Sequence, residues 1–118
     1  MTLLEQFIDC LKRGDNVCMT DLFDDKGVLH DASWRRIGYD TVHLCGKMAV
    51  EMMYHHKFGM NRGPFTVSGV KFTDDNVAWY FIVYNGVTVP VVAYLSSVTE
   101  DGKLDRLNIL AMLWNCIT

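Results

Sequence analysis

Four cysteines are the first residues of this 118-residue chain whose type could do chemistry. They are Cys10, Cys18, Cys45 and Cys116, and no two of them form a C-x-x-C pair. Structural zinc sites usually present such close-spaced thiolates. We therefore interpret the cysteines as buried, reduced thiols of a cytoplasmic protein, because disulfides are rare in that compartment.

Three histidines near the middle of the chain are the next candidates for a metal or a catalytic site. His55 and His56 are adjacent, and adjacent residues of a helix point about 100° apart. His43 precedes His55 by more than three helical turns, so the two cannot share an ion. We predict no metal and no cofactor. A single histidine on an apolar helix face is more often a satisfied core residue than a catalytic group.

The composition excludes several classes of protein. Apolar residues make up 50% of the chain and charged residues 21%, which is typical of a globular domain. The net charge is −3 with scattered Lys and Arg, whereas nucleic-acid binding needs a clustered positive surface. No apolar run reaches the roughly 20 residues of a membrane span, and we see no secretory signal. The expectation is one domain over residues 1–118, in the cytoplasm, with no nucleic-acid or membrane partner.

Helical spacing followed by strand patterns predicts an α+β domain. The first helix covers residues 3–13, and Gly14 ends it; a second follows the N-cap Asp15. A third helix starts at Asp40 with an apolar stripe that includes Met52 and His56. The residues 24–27 form a turn before a short strand, 28–31. Four strands of a curved antiparallel sheet are predicted at 65–72, 76–84, 87–98 and 103–114.

The two longest predicted strands are apolar on both faces. The hairpin at Asn85-Gly86 pairs Tyr84 with Val87, and this register gives two faces. One face carries Val77, Trp79, Phe81, Val92 and Tyr94, and the other carries Ala78, Tyr80, Ile82, Val91 and Ala93. An antiparallel sheet with one solvated face would alternate apolar and polar residues. We therefore expect one face to pack on the helices and the outer face to form a homodimer; an incorrect register is the alternative.

The order of the elements resembles the nuclear transport factor 2-like superfamily. The local likeness lies in Gly14-Asp15 and in the segment Leu22-Phe23-Asp24-Asp25-Lys26-Gly27-Val28-Leu29-His30-Asp31. Ketosteroid isomerases of this superfamily have a similar Gly-Asp, six intervening residues, Leu-Phe-x-Asp and a closing aspartate. The resemblance implies a cystatin-like cone, in which the concave face of the sheet holds three N-terminal helices and an apolar pocket.

The resemblance gives Asp31 a candidate role as general base. It matches the ketosteroid isomerase residue that moves a proton between carbons next to a carbonyl, and in those enzymes the surroundings tune the pKa of the carboxyl groups. Successive strand residues alternate faces, so His30 should point outward if Asp31 points inward. The alternative is an aspartate that caps a turn near Ser33.

The oxyanion donors of ketosteroid isomerases are not matched. Their helix tyrosine falls on Phe7, which has no hydroxyl, and their strand aspartic acid falls on Tyr94. Tyr94 is the candidate donor partner of Asp31, although an ordinary half-buried tyrosine is the more common interpretation. Trp34 lies in the loop at the expected pocket mouth. The predicted ligand-binding residues are Phe7, Trp34, Met52, Trp79, Phe81, Val92, Leu107 and Ile109.

Two classes of function follow from this resemblance. The first is a cofactor-independent isomerase, cyclase or dehydratase that acts on a small apolar carbonyl compound. Its catalytic residues would be Asp31 and Tyr94, with His56 assisting as histidines do in related dehydratases. The second is a non-catalytic ligand-binding or dimerisation module, since fold alone does not decide function. A transport adaptor like the namesake of the superfamily has no specific support.

Overall fold

The structure, a computed structural model, describes residues 1–60, 66–84 and 86–112. Three helices pack on a six-stranded, curved and unclosed sheet, which confirms the predicted α+β cone. The helices are α1 (Leu3–Arg13), α2 (Asn16–Asp21) and α3 (Lys47–Met60), with a 3₁₀ helix at Ser33–Ile37. The strands are β1 (Phe23–Asp31), β2 (Val42–Cys45), β3 (Thr66–Asp74), β4 (Val77–Tyr84), β5 (Val87–Val98) and β6 (Leu104–Ala111). Their spatial order is β2-β1-β6-β5-β4-β3.

The corner between α1 and α2 forms as the sequence predicts. Gly14 ends α1 with a left-handed φ of 66°, and the Asp15 side chain accepts a hydrogen bond from the Cys18 N–H as the N-cap of α2. This tight corner turns α2 back on α1 and joins Cys10 to Cys18 in a disulfide, with Cα atoms 5.9 Å apart. The expectation that all cysteines are reduced is therefore wrong for this pair. Cys45 is a free thiol as expected, but it is exposed rather than buried, and Cys116 lies outside the described residues.

Strand β1 is longer than predicted because residues 24–27 are a bulge within it rather than a turn before it. The register with β6 shifts between Phe23 and Val28. A Cβ at Gly27 would lie 2.6 Å from the Leu104 carbonyl oxygen, so only glycine fits this close approach. Strand β1 also runs parallel to β6, which makes the sheet mixed rather than wholly antiparallel.

The third helix begins at Lys47 and not at Asp40. Val42–Cys45 forms β2, which pairs antiparallel with β1. Gly46 separates the two elements with a φ of 100°, a conformation that a helix interior excludes. Helix α3 buries Val50 and Tyr54 rather than the predicted stripe. The side chain of Glu51, on the next face, accepts a hydrogen bond of 2.8 Å from Asn16 of α2.

Strands β4 and β5 pair in the predicted register. Tyr84 pairs with Val87, Trp79 with Val92 and Val77 with Tyr94. The inner face of the sheet carries the core residues Ala78, Tyr80, Val91 and Ala93, all of them buried. Asn85 of the predicted hairpin lies outside the described residues, as do residue 65 and residues 113–114 at the ends of two predicted strands.

Candidate functional site

A small cavity lies between the inner face of the sheet and the helices. Its volume is about 30 Å³, and a cavity needs roughly 10–15 Å³ to hold one water molecule. Its wall is mostly apolar and aromatic, with one carboxyl group. The lining residues are Leu11, Asp31, Ser33, Trp34, Ile37, Tyr54, Tyr80, Ile82, Tyr84, Val89, Val91 and Ile109.

Asp31 enters this cavity at the end of β1, with only 5% of its surface exposed. It is paired with Ile109 of β6, and the pleat of the strand turns its neighbour His30 to the outer face. There the His30 and His43 Nδ1 atoms lie 3.0 Å apart. The predicted opposite orientation of His30 and Asp31 is therefore confirmed.

Ser33 holds the Asp31 carboxylate in a fixed orientation. The Ser33 N–H donates a hydrogen bond of 2.9 Å to Asp31 Oδ1, and the Ser33 hydroxyl donates to the same oxygen. Asp31 thus caps the turn at Ser33 that leads into the 3₁₀ helix, as one of the two sequence interpretations expected. Both of these bonds reach the same carboxylate oxygen, Oδ1.

Burial changes the acidity of Asp31. Removal from water raises the pKa of its carboxyl from 3.8 to about 6, because burial penalises the charged form. Hydrogen bonding by Ser33 and by the Trp34 side chain lowers the pKa, but burial outweighs it. A carboxyl with this pKa is mainly ionised at pH 7 and still accepts a proton readily, which are the properties of a general base.

Two buried tyrosines share the cavity with Asp31. Burial and then the negative charge of Asp31 raise the pKa of both Tyr54 and Tyr80 above the ordinary value. Tyr54 comes from α3 and Tyr80 from β4, and their exposed fractions are 2% and 3%. Their hydroxyl groups therefore stay protonated at physiological pH and can act as hydrogen-bond donors.

Three of the predicted site residues meet at this cavity. Asp31, Trp34 and Ile109 all line it. Phe7 and Leu107 are fully buried in the core instead. Phe7 packs edge-on against Phe23, with ring centroids 6.5 Å apart, and Leu11, one turn later in α1, is the residue that reaches the cavity.

Four predicted site residues lie on the outer face of the sheet. They are Tyr94, Trp79, Phe81 and Val92, and Trp79 and Tyr94 are 36% and 37% exposed. The register was predicted correctly, but the choice of the face that turns inward was wrong. Because side chains alternate along a strand, the cavity receives Tyr80 and Ile82 in place of Trp79 and Phe81. The prediction that Tyr94 meets Asp31 is corrected for the same reason.

His56 and Met52 are exposed on α3 and do not line the cavity. The predicted stripe is displaced because apolar residues of several types occur around most of the helix, so spacing alone did not select the buried face. Tyr54 was missed for this reason. The sequence signal for Tyr54 is its four-residue step from Val50, because residues at this spacing share one face of a helix, and both are buried.

Two further features concern the described part of the chain alone. Within residues 1–60, 66–84 and 86–112, no three His, Cys, Asp or Glu side chains are grouped as metal ligands. Over the same residues, none of the helices has the length and apolar character needed to cross a membrane.

Comparison with solved structures identifies the fold of the chain. No family model matches the chain, and no curated protein matches it. Among solved structures, it is similar to an NTF-2 like protein of unknown function from Burkholderia xenovorans LB400. The two are 20% identical with a TM-score of 0.64, over 92% of this chain and 79% of the other.

Two further solved structures have the same architecture. A putative ketosteroid isomerase from Kribbella flavida is 14% identical, with a TM-score of 0.63 over 94% of this chain and 76% of that one. A hypothetical protein with a ketosteroid isomerase-like fold from Catenulispora acidiphila, in complex with trimethylamine, is 13% identical. Its TM-score is 0.63, over 91% of this chain and 82% of that one. At these identities the likeness shows the fold, and the chain has the nuclear transport factor 2-like, cystatin-like fold.

Proposed function

We propose that this chain, with its nuclear transport factor 2-like fold, is a cofactor-independent enzyme that moves a proton on a small apolar carbonyl compound. Asp31 is the general base. The observation that carries the proposal is the Asp31 carboxyl, 5% exposed in an apolar cavity, with a pKa of about 6. Perturbed carboxyls in cavities are typical of catalytic sites.

Tyr54 and Tyr80 take the donor role in this proposal. Asp31 accepts a proton from the carbon next to the substrate carbonyl, and the electrons of the broken C–H bond move to the carbonyl oxygen. A tyrosine hydroxyl stabilises the resulting enolate by a hydrogen bond, as oxyanion donors do. Asp31 then returns the proton to carbon and is ionised again. The charge of Asp31 lies close enough to both tyrosines to raise their pKa values, which supports this assignment.

The size of the cavity favours a small substrate. A volume of about 30 Å³ is filled by a few atoms, so a larger substrate would have to displace side chains of the wall. The comparisons support two parts of the proposal separately. One structure of similar fold is described as a putative ketosteroid isomerase, which fits the reaction, and another contains the small organic molecule trimethylamine, which fits the size of the ligand.

Deuterium exchange at carbon tests this proposal without knowledge of the physiological substrate. A series of ketones, from acetone to cyclohexanone and larger rings, is incubated with the protein in D2O, and loss of the α-proton signal is followed by NMR. We expect at least one ketone to exchange faster with the protein than in buffer. We expect Asp31→Asn to lower the protein-catalysed exchange rate at least about 100-fold, since general-base catalysis contributes about 10²–10⁴-fold to a rate.

Asp101→Asn is the matched control, because Asp101 is exposed and is not among the residues that line the cavity. It should exchange the same ketone at the wild-type rate. Acceleration that survives in Asp31→Asn, or no acceleration with any ketone in the series, would contradict the proposed reaction.

A non-catalytic ligand-binding or dimerisation module is the second candidate. Its support is that Ser33 already gives Asp31 a structural role as a cap, and that the cavity holds little empty space. If the protein is such a module, the ketones should exchange at the rate seen in buffer alone, both with the wild type and with Asp31→Asn. The exchange experiment therefore separates the two candidates.

A further inference from the structure

Three aromatic rings surround one ammonium group beside the cavity. The Lys57 Nζ atom lies 4.9 Å from the Trp34 ring centroid, 5.3 Å from that of Tyr39 and 5.9 Å from that of Tyr84. All three distances fall within the range of about 6 Å over which a cation is attracted to an aromatic ring. We call Trp34, Tyr39 and Tyr84 the aromatic cage.

The rings of the aromatic cage stand nearly perpendicular to one another. Trp34 and Tyr39 make an angle of 80°, Trp34 and Tyr84 79°, and Tyr39 and Tyr84 82°. Because the three ring planes differ in orientation by nearly 90°, they suit a compact, roughly spherical cation better than a flat one. Aromatic cages of this kind recognise quaternary and methylated ammonium groups.

The cage and the Asp31 cavity share two residues. Trp34 and Tyr84 belong to both, whereas Tyr39 is 48% exposed and borders solvent. The Lys57 ammonium that occupies the cage is a primary amine on a flexible stem, and such a group is strongly hydrated.

We propose that the aromatic cage is a binding site for a methylated ammonium group of a small organic molecule, which replaces the Lys57 ammonium between the three rings. Lys57 is thus an internal competitor. A methylated ammonium is compact and weakly hydrated, so it loses less on leaving water than the lysine does. The site does not depend on Asp31 acting as a base, and its failure would leave the exchange experiment unaffected.

The probes are choline and its neutral isostere 3,3-dimethylbutan-1-ol, each titrated into the wild-type protein. Their methyl proton signals are followed by NMR, because protons held against ring faces shift upfield. We expect choline to show an upfield shift that saturates, with a Kd at least about tenfold below that of the neutral isostere.

Lys57 variants test the competition. Lys57→Ala vacates the cage, and its Kd for choline should be at least about threefold lower than in the wild type, because a competing occupant raises the apparent Kd. Lys57→Gln gives a second, longer uncharged side chain in case the alanine variant folds poorly. Lys12→Ala removes a positive charge from an exposed position of α1 and should leave the Kd unchanged.

Three results would overturn the assignment. One is equal binding, or equal lack of binding, of choline and its neutral isostere to the wild type. The second is a choline Kd that rises or does not change in both Lys57 variants. The third is a Lys12→Ala protein that gains affinity as much as Lys57→Ala, which would show a general effect of net charge.

Discussion

Asp31 carries a charge in a place where charge costs free energy. Its carboxyl titrates near 3.8 in an ordinary environment, and its pKa is about 6 in the folded chain. Between these two pH values the folded state binds more protons than the unfolded state, so the free energy of unfolding falls as the pH rises. The neutral carboxyl stabilises the folded state fully below pH 3.8, and this contribution is lost above about pH 6. The shift corresponds to about 3 kcal/mol.

Replacing Asp31 by asparagine should therefore stabilise the protein at high pH. We expect the free energy of unfolding of Asp31→Asn to exceed that of the wild type by about 2–3 kcal/mol at pH 8 and to equal it near pH 4. Asparagine keeps an oxygen that accepts the Ser33 hydrogen bonds. Urea unfolding at both pH values measures the difference.

Asp101→Asn is the control for this measurement of stability against pH. A hydrogen bond from the Thr99 side chain lowers the pKa of the exposed Asp101, the opposite direction from Asp31, so this variant should not be more stable at pH 8. An Asp31→Asn protein that is less stable than the wild type at pH 8 would mean that the buried charge is not a cost.

At the scale of the elements, the bulge in β1 sets the position of Asp31. It brings Val28 to Asp31 into register with residues 106–109 of β6 after the shift that follows Phe23. Because a Cβ at Gly27 would meet the Leu104 carbonyl oxygen at 2.6 Å, backbone would have to move.

We expect Gly27→Ala to lower the free energy of unfolding by roughly 2 kcal/mol, the usual range for overpacking being about 1–3 kcal/mol. Chemical denaturation measures this loss. Lys26→Ala, at the exposed neighbouring position, should cost less than about 0.5 kcal/mol. Equal stability of the two variants would show that the close approach at Gly27 is not rigid.

Local signals in the sequence predicted the elements well, whereas the side of each element that faces the core was predicted poorly. Gly14, Asp15 and the β4–β5 register follow from capping and turn chemistry, which act over a few residues. The inward face of β4 depends on where the helices pack, and both of its faces are apolar. Asp31 was found through the resemblance of its segment to ketosteroid isomerases, whereas Tyr54 and Tyr80 were missed because the inward faces of α3 and β4 were not predicted.

At the scale of the whole molecule, the outer face of the sheet has an apolar patch. Trp79, Val92 and Leu110 are paired across β4, β5 and β6, and Tyr94 is adjacent on β5. Trp79, Tyr94 and Leu110 are each more than a third exposed. Apolar patches on sheet faces are typical of protein interfaces. We propose that a second copy of the chain covers this patch.

A charged residue in the patch should prevent this association. We expect the wild type to sediment with twice the mass of one chain and Trp79→Glu to sediment as a monomer, because a two-fold interface would bring the new charge into contact with apolar surface twice. Val17→Glu, at an exposed apolar position of α2, should leave the dimer intact. A monomeric wild type, or a dimeric Trp79→Glu, is the result that contradicts the proposed interface.

The titration of Asp31 itself is the most direct test of the site. Carboxyl carbon NMR of the ¹³C-labelled protein follows each aspartate with pH, and the signal missing from Asp31→Asn identifies the residue. The buried cavity predicts a pKa of about 6, whereas an open turn would give the ordinary value of 3.8. A midpoint near the lower value would contradict the burial of this carboxyl and with it the proposed general base.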